Sequence, residues 1–176
     1  MYTEGIKVGL TEEDIKEAVD LGAKIKDTAK GFLPSYGFGS MKAYKEYGNI
    51  ITKFCSLVLL SLKLGKGYKN LEEAKIEEIN RLEHFTITIL TYGDEVDFAK
   101  NYRIVLRQEE KVIKPVYIKT HYQALASSSF PQSPSFGAVV IAHFLYSEVD
   151  PKARTTIILV KDKEESSFEV DFSRYK

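Results

Sequence analysis

The sequence predicts an α+β fold in which an N-terminal helical region packs on a C-terminal antiparallel β-sandwich, with an immunoglobulin-like architecture among those it allows. Three observations predict it. Apolar residues recur at helical spacing before His84, and they recur at alternate positions after it. Six or seven short strand-like segments follow that point. Turn residues and no helices separate these segments, as in an antiparallel sandwich and unlike a parallel α/β sheet. The Cys and Trp pattern of true immunoglobulin domains is missing, since the chain has one cysteine and no tryptophan, so the architecture alone is expected. The change of period divides a helical region, 1–83, from a sandwich, 84–176, within one compact structural unit.

The first helix is expected over "LTEEDIKEAVDLGAKIKDTAKG". Thr11 and Asp14 have capping-box spacing, acids fill the first turn, and Gly31 follows the last residue. Ile15, Ala18, Val19, Gly22, Ile25 and Ala29 make one apolar stripe that needs a partner. The segment "FLPSYGFGSMKAYKEYG", within 31–48, then sets Phe32, Tyr36, Phe38, Tyr44 and Tyr47 among glycines, too many rings for a solvated linker. In "NIITKFCSLVLLSLKLGKG" the start can be a strand, the middle is a buried helix capped by Thr52, and Gly65 and Gly67 stop it. A third helix follows in "KNLEEAKIEEINRLEHF", with Asn70 and Glu73 at capping-box spacing and an end near Glu83.

From His84 the period is two, with Phe85, Ile87 and Ile89 on one side and Thr86 and Thr88 on the other. Further strands are expected in "YRIVLRQ", "KVIKPVYIKTHYQALAS", "GAVVIAHFLYS", "RTTIILVKD" and "SSFEVDFSRY". Glu109 and Glu110, the Ser/Pro-rich stretch 127–137, "EVDPKA" and "DKEES" supply the turns. Pro115 belongs at a sheet edge or bulge.

The chain has 176 residues, 44% hydrophobic and 28% charged, an ordinary globular composition. Its 25 acidic and 25 basic residues cancel, so no global field draws in a phosphate backbone, and nucleic acid is not an expected partner. Rings and lysines interleave in "KAYKEYGNIITK" and "KVIKPVYIKTHY", yet neighbouring acids offset them. A single cysteine excludes an internal disulfide, a Cys-rich zinc site and a CxxC pair. No transmembrane segment is expected, because "FCSLVLLSLKL" is too short to span a bilayer, and "MYTEGIKVGL" is not a signal peptide. Abundant Lys, Glu, Ile and Tyr with only three glutamines resemble a thermophilic composition.

Two clusters carry candidate chemistry. The rings of 32–48, above all Tyr36, Phe38, Tyr44 and Tyr47, can form a ligand-binding loop for a protein, peptide or glycan, or can equally be mortar between the helices and the sandwich. In "TYGDEVDFAKNYR", Asp94, Glu95 and Asp97 sit in a turn and can offer oxygens to Ca²⁺, or can simply initiate the turn while Phe98 plugs the core. EF-hand spacing is absent there. The three histidines, His84, His121 and His143, fall in or beside strands; His121 and His143 can meet if their strands are neighbours, but no HxH or HExxH spacing supports a metal site. Cys55 lies in an apolar run, as a core thiol would, and neither a GxSxG elbow nor a GxxxxGK[ST] phosphate loop occurs.

The blocks "LTYGDEVDFAKNYRIVLRQ", "KVIKP", "VDPKARTTIILV" and "FEVDFSRYK" resemble a group of uncharacterised bacterial proteins that pair a helical N-terminal region with a β-sandwich-like end. The resemblance spans about the last two-thirds of the chain and carries over no site residues. It implies an exported or lipid-anchored protein whose residue 1 follows a removed signal. The expected function is therefore a non-enzymatic extracytoplasmic binding or interaction module, in the periplasm or cell envelope, with no catalytic residues, no cofactor and no resident metal. The alternative is a hydrolase-type enzyme using Asp94 and Asp97 with a metal.

Overall fold

The structure is a computed structural model that describes residues 5–25, 32–65, 71–120 and 123–176. Helix α1 spans Glu12–Lys24. The Thr11 hydroxyl accepts from the Asp14 N–H while the Asp14 carboxylate accepts from the Thr11 N–H, so the capping box forms as expected. Ala29 and Gly31 lie outside the described residues. A 3-10 turn at Leu33–Tyr36 leads into strands β1, Gly37–Gly39, and β2, Tyr47–Ile51. Helix α2, Lys53–Leu64, starts at Thr52, whose hydroxyl accepts from Cys55 N, and stops at Gly65 with φ 60°. Helix α3 is Glu73–Asn80. Its N-cap is Glu72, without a side-chain bond, in place of the expected Asn70–Glu73 capping box; Gly67 and Asn70 lie outside the described residues.

The remaining strands are β3 His84–Gly93, β4 Arg103–Gln108, β5 Lys111–Ile113, β6 Tyr117–Lys119, β7 Leu125–Ala126, β8 Phe136–Leu145, β9 Arg154–Val160 and β10 Glu165–Asp171. They form two antiparallel sheets in a sandwich-like arrangement. One has the order β1-β2-β3-β8-β6, with β7 also beside β8; the other runs β10-β9-β4-β5. The N-terminal region thus gives two strands to the six-stranded sheet. The strand structure expected within "KVIKPVYIKTHYQALAS" is three short strands, β5, β6 and β7, with Pro115 where the chain leaves one sheet for the other. A proline that cannot donate to a ladder fits that crossing.

Alternation on β3 and β8 separates two faces. Phe85, Ile87, Ile89, Val140, Ala142 and Phe144 share one core with Ile104, Leu106, Ile157 and Leu159 of the second sheet. Ile15, Val19, Phe54, Leu57 and Val58 join the helices to that core. Each such side chain contributes about 1.5–3 kcal/mol on burial. On the other face, Thr86, Thr88, Leu90, Tyr92, Val139, Ile141 and His143 stay part-exposed.

Candidate functional site

The structure divides the ring-rich segment. Tyr36 and Phe38 are core residues, 6% and 7% exposed. Tyr36 lies 4.9 Å from the Phe32 ring and 6.0 Å from Tyr175, and its hydroxyl donates to the Lys176 carbonyl. Desolvation and the neighbouring Cys55 push that phenol well above the ordinary tyrosine range. Phe38 rests 5.3 Å from Phe168 and beneath Gly48, where a Cβ would come 2.3 Å from the Phe38 ring. These two rings are mortar.

Tyr44 and Tyr47 differ from them. Tyr47 is half-buried on the outward side of β2, its hydroxyl over Gly37, and burial raises its pKa. Tyr44 is 39% exposed and takes φ 58°, a left-handed conformation costing a non-glycine residue about 1–3 kcal/mol. Two contacts hold it there. Its hydroxyl is 3.0 Å from Ser128 Oγ, and its ring meets the Tyr92 ring edge-on at 5.7 Å and 85°. Hydrogen bonds from Ser128 and Ser129 lower the Tyr44 pKa.

Through these contacts the ring-rich segment and the 127–137 loop converge at one end of the six-stranded sheet. Tyr92 and Ser128, the two partners of Tyr44, also line a cleft of about 260 Å³ together with Leu90, Leu125, Ser127, Gly137 and Val139. Leu125 is 76% exposed at its rim. Gly137 opposite Tyr92 leaves that ring uncovered by a cross-strand side chain. Tyr92 and Leu90 were not singled out from the sequence, although the outward parity of Thr86 and Thr88 continues directly to them.

The acidic turn serves this same loop. Asp94 Oδ2 accepts from Ser133 Oγ and Oδ1 from Ser135 N–H, both at 2.9 Å. These bonds hold its carboxyl below the usual range. Asp97 accepts from Lys100 Nζ at 2.7 Å, which lowers its pKa as well. The Glu95 carbonyl accepts from Phe98 N–H within the turn, and Phe98 packs with Ala99, Ala124 and Ala138. Carboxylates so engaged are weak bases near neutrality. Among the described residues no group of three or more His, Cys, Asp and Glu side chains converges on a metal position.

His143 meets His84; His121 lies outside the described residues, so its expected approach to His143 has no structural outcome. Lys53, at the start of a strongly apolar helix, is buried. Cys55 is buried as expected, its thiol pushed up by desolvation. Among the described residues no helix is long and apolar enough to cross a membrane. In comparisons with known proteins, no family model matches the chain and no curated protein matches it.

Proposed function

We propose that this protein is a non-enzymatic recognition module that works outside the cytoplasm and that its ligand docks at the Tyr44/Tyr92 end of the six-stranded sheet. The observation that carries the reading is an apolar cleft beside Tyr44, an aromatic held in a costly backbone conformation by Ser128 and Tyr92, two residues that line the cleft. Strain kept at an exposed aromatic is a feature of ligand clamps. The extracytoplasmic part rests on the resemblance to bacterial proteins with a helical start and a sandwich-like end.

The cleft's size narrows the ligand. At about 260 Å³ it falls below the roughly 300–1,000 Å³ of sites that enclose small molecules. It takes one unit of a larger ligand. Apolar walls from Leu90, Leu125 and Val139, an open Tyr92 ring and serine hydroxyls at the rim suit a sugar ring, which has an apolar face and a polar edge. A glycan is the ligand class that follows.

Tyr44→Gly tests this without unfolding the protein, because glycine tolerates the left-handed conformation. The variant is expected to melt within a few degrees of the wild type and to lose capture on an array of immobilised glycans and peptides; so is Tyr92→Ala. Capture unchanged in both variants, or captured peptides and no glycan, contradicts the reading.

A further inference from the structure

His84 and His143 lie on the outward side of neighbouring strands β3 and β8, in diagonal positions, with Thr86 directly across from His143. Their ring centres are 4.7 Å apart and their planes meet at 72°. Thr86 Oγ1 is 2.8 Å from His143 Nδ1. Tyr117, across from His143 on β6, stacks on the same imidazole at 5.3 Å and 28°. Both histidines are part-exposed. They form a paired, solvent-reachable set of imidazoles whose deeper member is braced from two sides.

Late transition metals take imidazole nitrogens at about 2.0–2.1 Å, which places each ring centre about 3.2 Å from the ion, so two ligands at a right angle bring ring centres to about 4.5 Å. The observed 4.7 Å matches that separation. The Thr86 contact engages Nδ1 of His143 and leaves Nε2 to face an ion; in the tautomer with Nδ1–H donating to the hydroxyl, Nε2 carries the lone pair, the usual arrangement of an outer partner and a ligating histidine.

The geometry points to a two-histidine site, His84 and His143, for a divalent late-transition-metal ion, with water or a group from a bound partner filling the remaining positions. Cu²⁺ binds there more tightly than Ni²⁺ or Zn²⁺, following the general order for nitrogen ligands. The site is eight residues along β3 from Tyr92, about 26 Å at about 3.3 Å per residue. It therefore stands or falls independently of the cleft.

The test is calorimetric titration of the untagged full-length chain with Cu²⁺ and Zn²⁺. Saturable binding is expected, weakened at least tenfold in His84→Ala and in His143→Ala, and about tenfold in Thr86→Val through loss of the outer partner. His121→Ala is expected to bind like the wild type. Circular dichroism confirms that each variant folds. In the wild type, paramagnetic Cu²⁺ is expected to broaden the resonances of His84, Thr86, Tyr117 and His143 first, a readout that needs no variant. Absence of saturable binding, wild-type affinity in a folded His84→Ala or His143→Ala, loss of binding in His121→Ala, or broadening centred elsewhere overturns the proposal.

Discussion

Lys53 shows how much one residue does in this fold and how poorly its neighbours in sequence announce it. It is 5% exposed, and its Nζ donates to the Val8 and Asn80 carbonyls while sitting 5.3 Å from the Tyr146 ring centre. Its own N–H donates to Tyr146 Oη. One ammonium thus ties the N-terminal segment and the end of α3 to the start of α2. Desolvation pulls its pKa below the ordinary lysine value, partly offset by Glu83. Removing the donor leaves the Val8 and Asn80 carbonyls without it in a part-buried setting, where an unsatisfied group costs up to about 1–3 kcal/mol. Lys53→Ala is expected to destabilise by about 2–4 kcal/mol in urea unfolding, with Lys53→Met recovering little of it, since a thioether restores packing but no donor. Equal stability of Lys53→Met and wild type would show the bonds to be incidental. A lysine in "ITKFCSLVLL" reads as an exposed interruption, because only tertiary structure brings the two carbonyls to it.

At the scale of elements, what was legible was local. Thr11 with Asp14, and Thr52 before α2, announce helix starts because the cap and its partner are three residues apart. The alternation after His84 announces β3 for the same reason. Pairing was not legible. Strand β1 is Gly-Phe-Gly, too short and too glycine-rich to show a period, and exists because β2 pairs beside it. The separation of Tyr36 and Phe38 from Tyr44 and Tyr47, and the meeting of His84 with His143, likewise depend on register. Helix packing brings its own test. A Cβ at Gly22 would sit 2.3 Å from the Val58 carbonyl oxygen and 2.7 Å from Ser61 Cβ, so α1 and α2 touch through backbone there. The Ser61 hydroxyl donates to the Val19 carbonyl beside it, at 2.6 Å. Gly22→Ala gains about 1 kcal/mol of helix propensity. It is nonetheless expected to lower stability by about 1–3 kcal/mol net, because neither helix can yield without moving the core. A stabilised variant in thermal unfolding would mean the helices are loosely docked.

For the whole molecule, residue 176 closes the structure. Its carbonyl accepts from the Tyr36 and Thr52 hydroxyls, its ammonium pairs with Asp14 and Glu17, and it sits 4.7 Å from the Phe54 ring centre. Desolvation alone would raise the Asp14 pKa, but bonds from Lys7, Lys176 and Thr11 more than offset it and hold the carboxyl far below its usual value. A depressed carboxylate contributes stability that is present above about pH 4 and lost as pH falls below it. Tyr36 and Tyr146 act at the other limit, since desolvation raises both phenols. Their contribution is present below about pH 10 and lost as pH rises past it. Lys53, lowered, runs against them, its unfavourable term shrinking as pH climbs towards about 10.4. The stability profile is expected to be a broad plateau with an acid limb that flattens in Asp14→Asn and an alkaline limb that flattens in Tyr146→Phe. Limbs unchanged in those variants would assign the pH dependence elsewhere.

The cleft itself is a whole-molecule feature, assembled from β3, β7, β8 and the serine loop that Asp94 secures, with Tyr44 of the ring-rich segment resting on its residues Tyr92 and Ser128. An NMR titration of the ¹⁵N-labelled chain with soluble oligosaccharides tests it most directly. Saturable shifts confined to Tyr44, Leu90, Tyr92, Ser128 and Val139, absent in Tyr44→Gly, are the predicted result. Shifts that leave those residues untouched, or that persist in Tyr44→Gly, would contradict the account.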